Sequence, residues 1–135
     1  MIVDSSAIVA MLLGEPYWER LLSVARDAES LNMSAATWLE SAIVVDARND
    51  PVLSRQLDEL MDRLKVNVRP LTPAQAALAR LGWRDFGKGR HRAGLNFGDC
   101  FTYALAADSR EPLLCKGDAF THTDLDVVEL PRQQS

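Results

Sequence analysis

At 135 residues, with 47% apolar and 25% charged side chains, the chain has the make-up of one soluble globular domain, long enough to bury about two thirds of its unfolded surface without extra staples. Its 15 basic and 19 acidic groups leave a formal charge of −4, which excludes a protein that coats nucleic acid through net charge and leaves room for a local basic patch. Two cysteines without metal-like spacing, no basic leader before an apolar run and no stretch near the roughly 18 apolar residues of a membrane helix point to the cytoplasm and to no membrane association.

Ile2 and Val3 are β-branched and favour a strand, while Ser5 and Ser6 followed by Ala7 to Leu13 read as a helix start and an apolar helix. Asp4 therefore falls at the turn between them. Gly14 suits the end of that helix, and Pro16 is expected at the first position of a second helix, with Trp18, Leu21, Leu22 and Ala25 at helical spacing. Leu31 to Met33 is a short strand candidate, Ser34 caps a third helix over roughly 35–49, and Asn49-Asp50-Pro51 separates it from a fourth over 52–64. Val66 to Val68 alternates as a strand, and Thr72-Pro73 opens a fifth helix that runs to about Gly82.

Gly87 to Gly94 has the glycines and charge of an exposed loop, and a sixth helix runs from about Asn96 to Ala107. Pro112 to Cys115 reads as a buried strand, Lys116-Gly117-Asp118 as the turn after it, and Asp126 to Leu130 as a last strand. Short strands alternating with long helices predict an α/β fold of three layers, α/β/α, around a central, mostly parallel sheet. It is expected to form a single domain over 1–131 with a tail at 132–135.

Four carboxylates fall in unusual places. On the third helix, Ala36, Leu39, Ile43, Val44 and Ala47 form an apolar stripe predicted to face the core, with Glu40 in its middle. A lone glutamate there costs several kcal/mol unless it is paired, protonated or facing a polar cavity. Asp99 opens the sixth helix, where an N-cap is the plain reading, and Asp4 and Asp118 each follow a strand, where either serves equally as a cap or turn former. In a parallel sheet, however, strand ends and the helix starts after them share one edge, so Asp4, Asp99 and Asp118 are expected to meet there, with Glu40 turned towards them. Carboxylates so gathered repel one another, and a hard divalent cation is the usual remedy; oxygen ligands select Mg²⁺ or Mn²⁺ over zinc. That equipment suits metal-assisted phosphodiester hydrolysis. Cys100 as a nucleophile with His91 or His122 is disfavoured, because the adjacent Asp99 opposes thiolate formation.

Val3 to Ala7, Glu40, the run from Gly87 to Cys100 and the run from Lys116 to Asp124 together resemble a PIN-domain ribonuclease, and more closely the VapC toxins of bacterial type II toxin–antitoxin pairs. The resemblance implies Asp4, Glu40, Asp99 and Asp118 as a catalytic quartet, with Asp4, Asp99 and Asp118 on Mg²⁺ or Mn²⁺. It further implies endonucleolytic cleavage of cellular RNA, a homodimer, and inhibition by a cognate VapB-like antitoxin. Ala119 departs from the acidic residue that often follows the Gly-Asp pair in related toxins, which brings in Asp124 as a substitute or outer contributor. Lys88, Arg90 and Arg92, with Arg84 beside them, make a basic stretch leading into Asp99 that is suited to gripping the backbone of a folded RNA. Ser5 and Ser6 are candidates for bonding a phosphate or water beside the metal, with at least one expected to cap the first helix instead. The competing readings are a non-catalytic RNA- or partner-binding module on the same fold, and a phosphoacceptor domain using Asp4.

Overall fold

The computed structural model describes residues 1–131, and the expected tail at 132–135 lies outside them. Four strands, β1 (Ile2–Val3), β2 (Leu31–Ser34), β3 (Val66–Arg69) and β4 (Leu113–Leu114), form a sheet in the order β3-β2-β1-β4, with every pairing parallel. β1 is interior, with Ile2 opposite Asn32 on one side and Leu113 on the other. Successive strand residues point to opposite faces, so even a two-residue strand serves two cores. Ile2 and Leu113 enter the one containing Leu95, Ala104 and Leu105, whereas Val3 and Leu114 enter the one containing Ile8, Leu21 and Leu57.

The helices are α1 (Ser5–Leu13), α2 (Trp18–Asp27), α3 (Ala35–Asp46), α4 (Pro51–Arg63), α5 (Pro73–Phe86) and α6 (Phe97–Ser109). Residues of α5 and α6 fill the first core and residues of α1, α2 and α4 the second, which gives the three expected layers. α3 touches both sides: Val45 joins the second core, and Thr37 meets Thr102 of α6. Among the described residues no helix is long and apolar enough to cross a membrane.

Helix ends follow from local chemistry. Gly14 ends α1 at φ 66°, a left-handed conformation that costs glycine little. Ser34 starts α3 by accepting from the Ala36 amide at 3.3 Å. Asp50, ahead of Pro51, accepts from the amides of Val52 and Leu53 at 3.0 and 3.2 Å, and Thr72, ahead of Pro73, accepts from Gln75 at 3.1 Å.

Several expectations are corrected. Pro16 lies outside α2, which begins at Trp18; the left-handed residues Gly14 (φ 66°) and Tyr17 (φ 74°) bracket Glu15 and Pro16 in a turn that must finish before the helix can start. α5 runs past Gly82 to Phe86, because the ring of Tyr103 occupies the space a side chain at Gly82 would need, so the glycine marks helix contact and not a helix end. The segment 126–130 is not a strand: Val127 makes a single parallel bridge to Leu113, since β4 is only two residues long.

The largest correction concerns α3. Leu39, Ile43 and Val44 are 52, 58 and 50% exposed, and the buried side chains are Thr37, Ser41 and Val45. The apolar stripe therefore faces outward, and small or polar residues face α6 and the sheet, where they allow close helix approach. Since Asp50 satisfies two amides of α4 from an exposed position, Asp50→Ala is expected to cost about 1 kcal/mol of stability in a urea titration, with an unchanged dependence on urea concentration.

Candidate active site

Asp4 ends β1 and begins α1, which places a carboxylate at the carboxyl edge of an interior parallel strand. It is 3% exposed. Its Oδ2 accepts from the Ser6 amide at 3.1 Å, so Asp4 itself caps α1 and neither Ser5 nor Ser6 does. Its Oδ1 accepts from the Thr102 hydroxyl at 2.6 Å, within the short range of a bond to an ionised acceptor.

Asp99 arrives on the first turn of α6. It is not the cap: Asn96 is, accepting from the Asp99 amide at 2.8 Å, while Asp99 Oδ2 accepts from the Asn96 amide at 3.0 Å. This reciprocal pair fixes the carboxylate against the helix start. Glu40 comes from α3, half-buried, and accepts from the Ser5 hydroxyl. Gly98 lies against the Glu40 carboxylate so closely that any side chain there would collide with it.

The three acids feel one another. Burial first, and then the charges of Asp4 and Asp99, hold the Glu40 carboxyl above the usual glutamate range, against the lowering effect of Ser5. Asp99 is also raised by burial, opposed by the Asn96 backbone bond and assisted by the charge of Asp4. The Cys115 thiol, at the end of β4, is pushed up to about 12 by burial and then by Asp4, Asp99 and Asp118. The negative field therefore spans the edge from β1 to β4, with Asp118 exposed on its rim. Lys116, at the same edge, directs its ammonium to Glu15 at 3.1 Å, and its amide donates to Ser6 Oγ at 3.0 Å.

Asp124 is not part of this group. It accepts from the Tyr103 hydroxyl at 2.9 Å and borders a cavity with Arg110 and Glu111, near the far end of α6. Cys100 is buried, donates to the Asn96 carbonyl at 3.2 Å and is raised by burial and then by Asp99, which agrees with its exclusion as a nucleophile. Lys88, Arg90 and Arg92 are exposed on the loop between α5 and α6. A bridge between Gly87 and Leu95 and an amide bond from Ala93 to His91 Nδ1 hold that loop, and Arg90 stacks 4.7 Å over the Trp83 ring.

Asp4, Glu40 and Asp99 form an all-oxygen donor set with unrelieved repulsion, chemistry that fits a hard divalent cation. Among the described residues no three histidine, cysteine or acidic side chains stand close enough to make a ready metal cage. Thr102, Thr37 and Gly98 also take part in the geometry; a hydroxyl within an otherwise apolar helix stretch is the signal in the sequence that marks Thr102, and Thr37 has none because its helix faces the opposite way to its apolar stripe.

A family profile described as the PIN domain matches residues 1–125. The chain is 52% identical over 124 residues to Ribonuclease VapC28 of Mycobacterium tuberculosis, covering 91% of this chain and 93% of that protein. Its fold is similar to that of the Mycobacterium tuberculosis sarcin–ricin loop cleaving toxin VapC20, with a TM-score of 0.74 at 15% identity over 96% of this chain and 98% of that one. It is also similar to a chain of VapBC2 from Rickettsia felis bound to a promoter DNA fragment, with a TM-score of 0.71 at 14% identity over 95% of this chain and 96% of that one.

Carboxyls with raised pKa stabilise the folded chain below the ordinary carboxylate range and lose that contribution as pH rises through their folded values. Glu40→Gln, which keeps shape and removes charge, is therefore expected to melt above the unsubstituted protein at neutral pH in EDTA, with the gap closing as acid takes the pH from the raised Glu40 value down to the ordinary glutamate range. Calorimetric scans across pH check this; a variant that melts lower at neutral pH would contradict the repulsion.

Proposed function

Because the chain belongs to the PIN-domain family, and within it to the VapC ribonucleases, we propose that its acidic cluster hydrolyses RNA phosphodiester bonds with Mg²⁺ or Mn²⁺ as cofactor. The observation that supports a metal is the gathering of Asp4, Glu40 and Asp99 at one sheet edge, with Asp118 on its rim, where burial and then the neighbouring negative charges raise Glu40 and Asp99. Asp4 and Asp99 would hold the cation, with Asp118 contributing from the rim directly or through water. When bound, the cation would supply charge neutralisation at the phosphate and a more acidic water.

Glu40 takes the proton of the attacking water at its carboxylate, and its raised pKa brings that base nearer to neutral pH. The Ser5 hydroxyl steers the Glu40 carboxylate, and Gly98 leaves room for it. Lys88 and Arg92 grip the RNA backbone, while Arg90, stacked on Trp83, presents its charge in a fixed place. Attack by water leaves a 5′-phosphate and a 3′-hydroxyl. The basic loop sets affinity for folded RNA and does not by itself choose a sequence.

The toxin reading brings a VapB-like antitoxin as partner, in keeping with the VapBC2 complex whose chain shares this fold. A homodimer in the cytoplasm completes it. Leu39, Ile43 and Val44, exposed together on α3, support a protein partner, because apolar clusters of this kind mark interaction surfaces.

Purified protein is expected to cut total cellular RNA in Mg²⁺ and to stop in EDTA. Asp4→Asn and Asp99→Asn should lower the rate on the order of 1,000-fold or more while the circular dichroism stays unchanged. Cleavage that persists in EDTA, or in both variants, would sink the mechanism. In a separate assay, Lys88→Ala and Arg92→Ala should each weaken RNA binding across sequences and reduce the salt dependence by about one counterion; an unchanged salt slope would remove the loop from the RNA path.

A further inference from the structure

Thr37 and Thr102 take no part in the chemistry, yet each is buried like a core residue, at 1% exposure. Valine would fill nearly the same space without the cost of burying a hydroxyl. Their bonding is directional. Thr102 donates its single hydroxyl proton to Asp4 Oδ1 at 2.6 Å, so the 3.3 Å contact between the threonine hydroxyls runs from Thr37 to Thr102. The chain Thr37 to Thr102 to Asp4 crosses from α3 through α6 to the end of β1.

The two threonines also hold matching places on their helices. Thr37 lies three residues before Glu40 on α3, and Thr102 three residues after Asp99 on α6, so each is one turn from the acid that its helix supplies. Ser41 binds back to the Thr37 carbonyl at 2.8 Å and Gly98 meets the Glu40 carboxylate, so the two helices approach through small groups at this point.

We infer that Thr37 and Thr102 form a buried hydroxyl relay that sets the Asp4 carboxylate and the helices bearing Glu40 and Asp99 in register for metal binding; both are positioning residues, and the inference rests on the metal-dependent nuclease reading. Ser6 holds Oδ2 through its amide and Thr102 holds Oδ1, so removing Thr102 frees the Asp4 carboxylate to rotate and unties α6 from it. Removing Thr37 leaves the Asp4 bond in place and loosens only the α3 end.

The test uses the whole chain and three readouts: Mn²⁺ binding by calorimetry without RNA, kcat and KM for RNA cleavage, and thermal melting in EDTA. Thr102→Val is expected to weaken Mn²⁺ binding by about 10-fold or more and to lower kcat by about 10- to 100-fold, with KM little changed. Thr102→Ser, which keeps the hydroxyl, should restore both to within a few-fold. Thr37→Val should show a smaller loss, and adding it to Thr102→Val should cost less than the two separate losses combined, because the relay is already broken. Wild-type Mn²⁺ affinity and kcat in Thr102→Val would overturn the relay and leave the metal reading standing. A wild-type protein that binds no Mn²⁺ would overturn both. If Thr102→Val does not fold, Thr37→Val decides: unchanged Mn²⁺ affinity and kcat there would also overturn the relay.

Discussion

A carboxylate buried at the end of an interior strand is the constraint on which the rest of this molecule depends. β1 is paired on both sides, and the Asp4 amide donates to the Leu114 carbonyl at 3.0 Å, so the backbone carrying the charge cannot shift to reach water. Burying an ionised group without compensation costs several kcal/mol. Two features offset that cost at Asp4: the short Thr102 bond from α6, and the amino end of α1, which supplies the Ser6 amide and a partial positive charge that favours an anion. One holds Oδ1 and the other Oδ2, so the carboxylate is fixed in orientation as well as in place.

The remaining acids come to Asp4 because it cannot go to them. Asp99 is delivered by the reciprocal cap with Asn96, a local device that works wherever α6 begins. Glu40 depends on helix packing, since α3 must lie close enough for its carboxylate to rest against Gly98. Thr37 and Ser41 make that approach feasible, being small enough for contact and bonded within the protein rather than to water. The burial and, after it, the repulsion that raise Glu40 and Asp99 are a strain between elements, opposed by the two cores on either side of the sheet.

Features set by neighbours in the chain were legible in the sequence. Ser34 and Thr72 cap the helices they were expected to cap, Asn49-Asp50-Pro51 separates α3 from α4 as expected, and β1 ends on Asp4 because Ile2 and Val3 can serve both faces of a sheet. Features set by distant partners were not. Apolar spacing on α3 identifies a coherent face, but nothing in Leu39, Ile43 and Val44 says that Thr37 and Ser41 will pack against α6 on the opposite side. Glu40 was singled out for its place among apolar residues presumed to be buried, whereas it lies on the border between the inward polar face and the outward apolar one. Asp124 follows the turn after β4 closely enough in sequence to look available, yet the Tyr103 hydroxyl draws it to the other end of α6. The Thr102 contact with Asp4 spans 98 residues and has no local trace beyond a hydroxyl in an otherwise apolar stretch.

The inversion of α3 has a mechanical result. Its inner side carries the groups that position Glu40, and its outer side carries the apolar cluster suited to a protein partner. A helix is about 10 Å across, so a partner seated on the outer face would lie one helix thickness from the base. Covering a side chain of this kind is worth up to about 1.5–3 kcal/mol when it was fully exposed, and Leu39, Ile43 and Val44 are each only about half exposed, which still leaves several kcal/mol among the three before the costs of association. That is comparable to the effect of displacing one positioned group in an active site. Because the same short helix bears both faces, a change on the outer face that tilted α3 would reach Glu40 without any contact with the acids themselves.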